Sequence, residues 1–122
     1  MQTKMIYTMV RAADWRSAES TGQYDGSAND KADGFLHFST AGQLPGSAAK
    51  HRRGETDLML VAVEAARLGA ALKWEPARGG QLFPHLYAPL QLSLVDSAVT
   101  LPLGPDGLHV FPPLDNSPAE ES

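Results

Sequence analysis

Leu58-Met59-Leu60-Val61-Ala62-Val63 is the most apolar run of the chain, and its length decides how the rest is read. Six residues make a strand and fall short of a buried helix, and a run with no polar alternation predicts a strand covered on both faces. The neighbouring segments must supply those covers. Upstream, Met5 to Val10 reads as a strand through Ile6, Tyr7, Thr8 and Val10. Arg11 to Ser20 reads as a helix, with Asp14 in its positively polarised first turn and Gly22 placed to stop it. Gln23 to Asp33 reads as a polar loop without periodicity, long enough to cover a pocket. A short strand over Phe35 to Ser39 follows. Thr40 and Gln43 then form a capping pair ahead of a helix over about Ala41 to Arg53, which Pro45 makes late or irregular at its start.

Downstream, Glu64 to Gly69 reads as a turn and Leu72 to Glu75 as a strand stopped by Pro76. Leu82 to Tyr87 is extended, and Pro84, which has no N–H, predicts an edge or irregular strand. Leu92 to Leu101 reads as a strand. Gly104-Pro105-Asp106-Gly107 is a turn that returns Leu108 to Phe111 as a hairpin. Helices and strands do not alternate, so the expected class is α+β, with a largely antiparallel sheet and two N-terminal helices. Residues 1–112 are expected as one globular domain and 113–122 as a disordered acidic tail.

The 122 residues include no cysteine, which removes disulfides, thiolate nucleophiles and cysteine-ligated zinc, and suits a reducing cytoplasm. A net charge of −4 argues against a nucleic-acid duplex as partner. No segment has the length of a membrane span, so no membrane partner is expected. The expected partner is a small-molecule ligand, and the expected state a monomer or weak dimer.

Two stretches concentrate reactive groups, and the expectation is that they meet in one pocket. In Gly34-Phe35-Leu36-His37-Phe38-Ser39-Thr40, strand alternation aims Phe35, His37 and Ser39 to one face. An imidazole and a hydroxyl so placed suit a sugar or an acid–base role; a half-buried structural histidine is the bland alternative. In Trp74 to Tyr87, Phe83, His85 and Tyr87 would wall an aromatic slot. Arg78 beside Gly79-Gly80 suits phosphate or carboxylate, and Glu75 beside Trp74 suits a general acid or base. Lys50-His51-Arg52-Arg53 reads as a solvated helix end, with a phosphate site as its alternative. His51 and His109 read as structural or solvent-facing. Glu75, His37 and His85 lack the close spacing of a metal set, and no metal is expected.

Ile6-Tyr7, Asp14-Trp15, Asp33 through Thr40, and Trp74-Glu75-Pro76 through Phe83-Pro84-His85-Leu86-Tyr87 resemble the bacterial family known as domain of unknown function 952, over roughly Ile6 to Leu101. The resemblance implies an ADP-ribosyltransferase-like fold, in which two small antiparallel sheets flank a cleft that holds NAD in active relatives. It implies His37 as the grip on the nicotinamide ribose, with Ser39, Thr40 or a tyrosine such as Tyr7 in support, and Glu75 as the residue that polarises the ribose. His37, Glu75 and His85 are thus the expected catalytic set. Tyr7, Ser39, Thr40, Arg78, Phe83 and Tyr87 are the expected ligand contacts. A nucleotide-binding transferase, a non-catalytic binding module of the same fold, a two-histidine phosphoesterase and a protein-interaction domain are the competing functions.

Overall fold

A computed structural model describes residues 4–114 of the chain, apart from the side chain of Arg78. The acidic tail expected after Pro112 lies outside the described residues from Asp115 onward. The apolar run forms β5 (Leu58–Glu64), which sits inside a four-stranded sheet between β1 (Met5–Arg11) and β9 (Ser97–Leu101); β4 (Ser39–Thr40) completes it on the far side of β1. All its pairings are antiparallel, with Tyr7 opposite Ala62 and Leu60 opposite Val99.

Both faces of this sheet are covered, as the unbroken apolar run requires. Val61 and Val63 join Ile6 and Val10 in one cluster with Trp15, Ala18, Leu36, Phe38 and Leu86. Leu58, Leu60 and Ala62 join Tyr7, Leu44 and Leu101 in the other. Each fully buried branched side chain contributes about 1.5–3 kcal/mol, so β5 alone anchors a large share of the core.

Helix α1 (Ala12–Thr21) turns Trp15 and Ala18, three residues apart, onto the first cluster. Gly22 ends it at φ 88°, its N–H donating to the Ala18 carbonyl at 2.7 Å. The segment expected as a loop over Gln23 to Asp33 instead holds β2 (Gln23–Tyr24), paired with β8 (Leu90–Gln91), and a third helix, α2 (Ala28–Asp33). Six residues are too few to show periodicity, but Ser27 and Asp30 cap this helix reciprocally. Helix α3 (Leu44–His51) starts late, with Pro45 in its first turn, and Thr40 and Gln43 exchange the expected bonds ahead of it.

The strand expected over Phe35 to Ser39 is two strands. β3 (Leu36–His37) belongs to a three-stranded sheet, β3-β7-β6, while β4 has crossed to the larger sheet. In the smaller sheet β7 (Leu82–Leu86) lies between β3 and β6 (Leu72–Pro76), so Pro84 stands in a central strand and not at an edge. The Pro84 carbonyl accepts from the Phe38 N–H at 3.0 Å. A residue's N–H and C=O point to the same side in an antiparallel ladder, so the missing donor faces the point where the chain leaves β3 for β4. The break and the proline explain each other.

The remaining departures are local. Residues 65–71 and 92–94 are 3₁₀ turns, which shortens the expected strand over Leu92 to Leu101 to Ser97–Leu101. Leu103 and His109 make a single bridge where a hairpin was expected. The described residues therefore hold three α-helices and three small antiparallel sheets where two of each were expected, because the polar stretch after α1 adds both α2 and the β2–β8 pair; the class is α+β. No described helix is long and apolar enough to cross a membrane.

Candidate functional site

Helix α2 ends at Gly34 with φ 87°, and this turn folds the helix back against β3. Asp30 and Asp33 are thereby brought onto His37 from one side. Asp30 Oδ1 accepts from the His37 backbone N–H at 3.0 Å and from its ring Nδ1–H at 2.5 Å. Its other oxygen accepts from the Ser27 N–H at 2.8 Å. The ring Nε2–H donates to Asp33 Oδ2 at 2.9 Å. A neutral imidazole has one N–H, yet both ring nitrogens face carboxylates, so this arrangement belongs to the imidazolium. The Asp30 bond raises the His37 pKa against the opposing effect of partial burial, and the charges of Asp30 and Asp33 raise it further. Burial pushes the Asp30 carboxyl upward, but the bonds from His37 and Ser27 outweigh it and hold its pKa below the ordinary value.

The close approach that permits this cage is set by Gly26. Its φ is 108°, and a Cβ there would lie 2.6 Å from Leu36 Cδ2 and 2.8 Å from Asp30 Cβ. On the opposite side, Thr8 Oγ1 donates to the His37 carbonyl at 2.9 Å, tying β3 to β1.

His85 is the strand partner of His37, and their ring centroids are 5.8 Å apart at 67°. His85 is buried and stacks on Phe35 at 4.0 Å. Phe35 also meets His37 at 4.6 Å and Tyr87 at 5.2 Å, so one ring holds three others. His85 Nδ1 bonds Glu75 Oε1 at 2.8 Å, and the Tyr87 hydroxyl donates to the same oxygen at 2.7 Å. The bond from Tyr87, then that from His85, lowers the Glu75 pKa; in turn Glu75 raises that of Tyr87. The bond to Glu75 orients the ring with an N–H at Nδ1, and in a neutral imidazole that leaves Nε2 as an acceptor.

His37 and His85 open to one cavity of about 640 Å³. Tyr7, Ser39 and Phe83, all expected as ligand contacts, line it too. Phe38 lines it as well, because the change of sheet interrupts the alternation expected from Phe35 to Ser39. Ser39 Oγ lies 3.0 Å from Ser47 Oγ on α3. Glu75 does not line the cavity and touches it through His85; Tyr87 stands behind Glu75, 43% exposed. Thr40 is spent on the α3 cap. The Arg78 side chain lies outside the described part of the chain.

Several lining residues were not among those expected. Asp30 and Asp33 are the most consequential, and the Ser27-x-x-Asp30 cap was the available signal. Arg11, Lys50, His51 and Arg52 line the cavity, so three members of the basic cluster face it. Arg52 is held by Glu55 at 3.1 Å and by the Met9 carbonyl at 3.3 Å. Burial, then the charges of Asp30 and Asp14, keeps the Tyr24 hydroxyl protonated far above its ordinary range. His109, buried behind this wall, bonds the Glu55 carbonyl at 2.8 Å. Among the described residues no group of three or more His, Asp or Glu side chains is arranged to hold a metal ion.

Residues 9–98 match the model of a family described as "Protein of unknown function (DUF952)". An X-ray structure of protein CC0527 from Caulobacter crescentus is similar, at 47% identity and TM-score 0.85, covering 87% of this chain and 93% of that one. A solution NMR structure of CC0527 is similar at 48% identity and TM-score 0.78, covering 85% and 90%. No curated protein matches the chain.

Proposed function

The chain belongs to the DUF952 family of proteins of unknown function, and from that premise we propose that its cavity binds a small polar ligand of nucleotide type, with NAD as the candidate. The observation that carries this reading is the pairing of His37 with His85 on one cavity wall, each oriented by a carboxylate. A volume of about 640 Å³ lies within the range of small-molecule sites. Cationic side chains and aromatic rings share the lining, as a ligand with phosphates and a base requires. The ADP-ribosyltransferase-like fold implied by sequence resemblance agrees with small antiparallel sheets flanking a cleft. Fold alone assigns no reaction.

The position of Glu75 favours binding over transfer. A glutamate that polarises a ribose must touch it, and Glu75 instead orients His85 from behind. The protein is thus read as a cytoplasmic ligand-binding module. Calorimetric titration with NAD tests it: binding at millimolar concentration or tighter, lost in His37→Ala, is expected. An absence of heat and of NMR shifts at several millimolar NAD overturns it.

A second reading is favoured by the proton inventory. The His37 imidazolium is a donor, and a His85 ring that carries its proton on Nδ1 beside Glu75 offers Nε2 as an acceptor, so the two can serve as an acid–base pair. In phosphodiester hydrolysis, water would give its proton to His85 Nε2 as it attacks phosphorus, and the leaving oxygen would take one from His37. Tyr87 stands where such enzymes carry a small hydroxyl residue, which ranks this reading second. Turnover of a 2′,3′-cyclic nucleotide, abolished by His85→Asn, would promote it to first.

A further inference from the structure

The two carboxylates on His37 are not equivalent. Asp30 is buried and holds three bonds, two from His37 and one from the Ser27 N–H that starts α2. It cannot leave without uncapping that helix. The Asp33 side chain is 55% exposed and meets the ring at Nε2. It is the last residue of a six-residue helix and is followed by Gly34. Both Asp33 and His37 line the cavity, as do Arg11, Lys50 and Arg52.

We propose that Asp33 holds the place of a ligand phosphate: binding exchanges its carboxylate for a phosphate oxygen on the His37 Nε2–H, and the cavity's cations balance the added charge. This rests on the nucleotide-type reading and names its anionic anchor. A phosphate oxygen makes the same charge-assisted bond as a carboxylate. An exposed ion pair contributes little to stability, so the exchange asks little of the ligand. Asp30 remains in place throughout and keeps the ring cationic and oriented. The displaced carboxylate turns to solvent, which its exposure already allows. The pair also gives selectivity, because an uncharged hydroxyl competes poorly with a carboxylate for an imidazolium N–H.

Histidine-ring NMR and calorimetry with two probes, inorganic pyrophosphate and adenosine, provide the test. Pyrophosphate is expected to shift the His37 Nε2 resonance and to bind Asp33→Asn about two- to fivefold more tightly, the weight of an exposed ion pair. Adenosine affinity should be unchanged by that substitution. His37→Gln should lose pyrophosphate binding. If that variant does not fold, Lys50→Gln should weaken pyrophosphate without altering adenosine. Weaker or equal pyrophosphate binding by Asp33→Asn overturns the exchange. Adenosine moving cavity signals while pyrophosphate leaves His37 unmoved overturns it too, with the cavity reading intact. Silence from both probes removes both.

Discussion

β5 buries Leu58, Leu60, Val61, Ala62 and Val63, while β7, of similar length, buries Phe83, Pro84, His85 and Leu86. The first strand lies in a sheet whose two faces are apolar clusters. The second carries Leu86 into the core, but its histidine is tethered by a carboxylate and stacked on a ring. One sheet is held by area removed from water, which is non-directional. The other depends on bonds whose strength requires particular atoms at particular distances. A fold that separates these duties keeps its stability in one sheet and leaves polar side chains in the other to meet a ligand.

This contrast is sharpest where packing is cut. Leu60→Ala, at a site 2% exposed, should cost about 2–5 kcal/mol in chemical denaturation. Affinity of the residual folded protein for NAD should not change. A comparable loss of affinity would mean that the two sheets are not separate in function. Gly26→Ala strikes the other region. It adds a Cβ against Leu36 and Asp30 in a backbone conformation that suits glycine, so a loss of about 2–4 kcal/mol is expected. Here the His37 ring signals should move as well, because Asp30 is displaced.

Asp30→Asn should cost about 1–3 kcal/mol, and only in a defined pH window. His37 binds its proton more tightly in the folded state, so its contribution is complete below 6.5 and is lost as pH rises through the raised folded value. Asp30 binds its proton less tightly when folded, so its contribution is complete above 3.8 and is lost as pH falls through the lowered value. The difference between the wild type and Asp30→Asn should therefore plateau between about pH 4 and 6.5 and shrink on both sides. A difference that is flat from pH 3 to 9 would show that the ion pair does not hold the site. Leu60→Ala should show no such window. The smallest effect is expected for Tyr87→Phe, which removes one donor from Glu75. The Glu75 carboxyl should titrate closer to its ordinary 4.5 in carbon-detected NMR, with little change in melting temperature.

The same division explains what could be read in advance. β5 was legible because burial on both faces writes itself into consecutive residues. The Gly22 stop and the Thr40–Gln43 pair were legible because caps are local. Helix α2 was not, since its six residues hold no apolar side chain larger than alanine and its one signal was a serine–aspartate cap. Asp30 was overlooked for the same reason: its work is done seven residues away, across a turn. Pro84 misled because its missing donor matters only where a neighbour stands opposite, and the chain leaves β3 there. The meeting of His37 with His85 was expected from their company in sequence, but their strand register comes from pairings more than forty residues apart. Glu75 was expected at the ligand and stands one histidine behind it.

The proposed ligand site requires that these two rings face one bound molecule. Long-range proton–nitrogen spectra of the histidine rings, recorded during NAD titration, test it most directly. His37 and His85 should move together along one saturable curve while His109, behind the wall, stays still. Unmoved rings at several millimolar NAD, or a response at His109 alone, would contradict it.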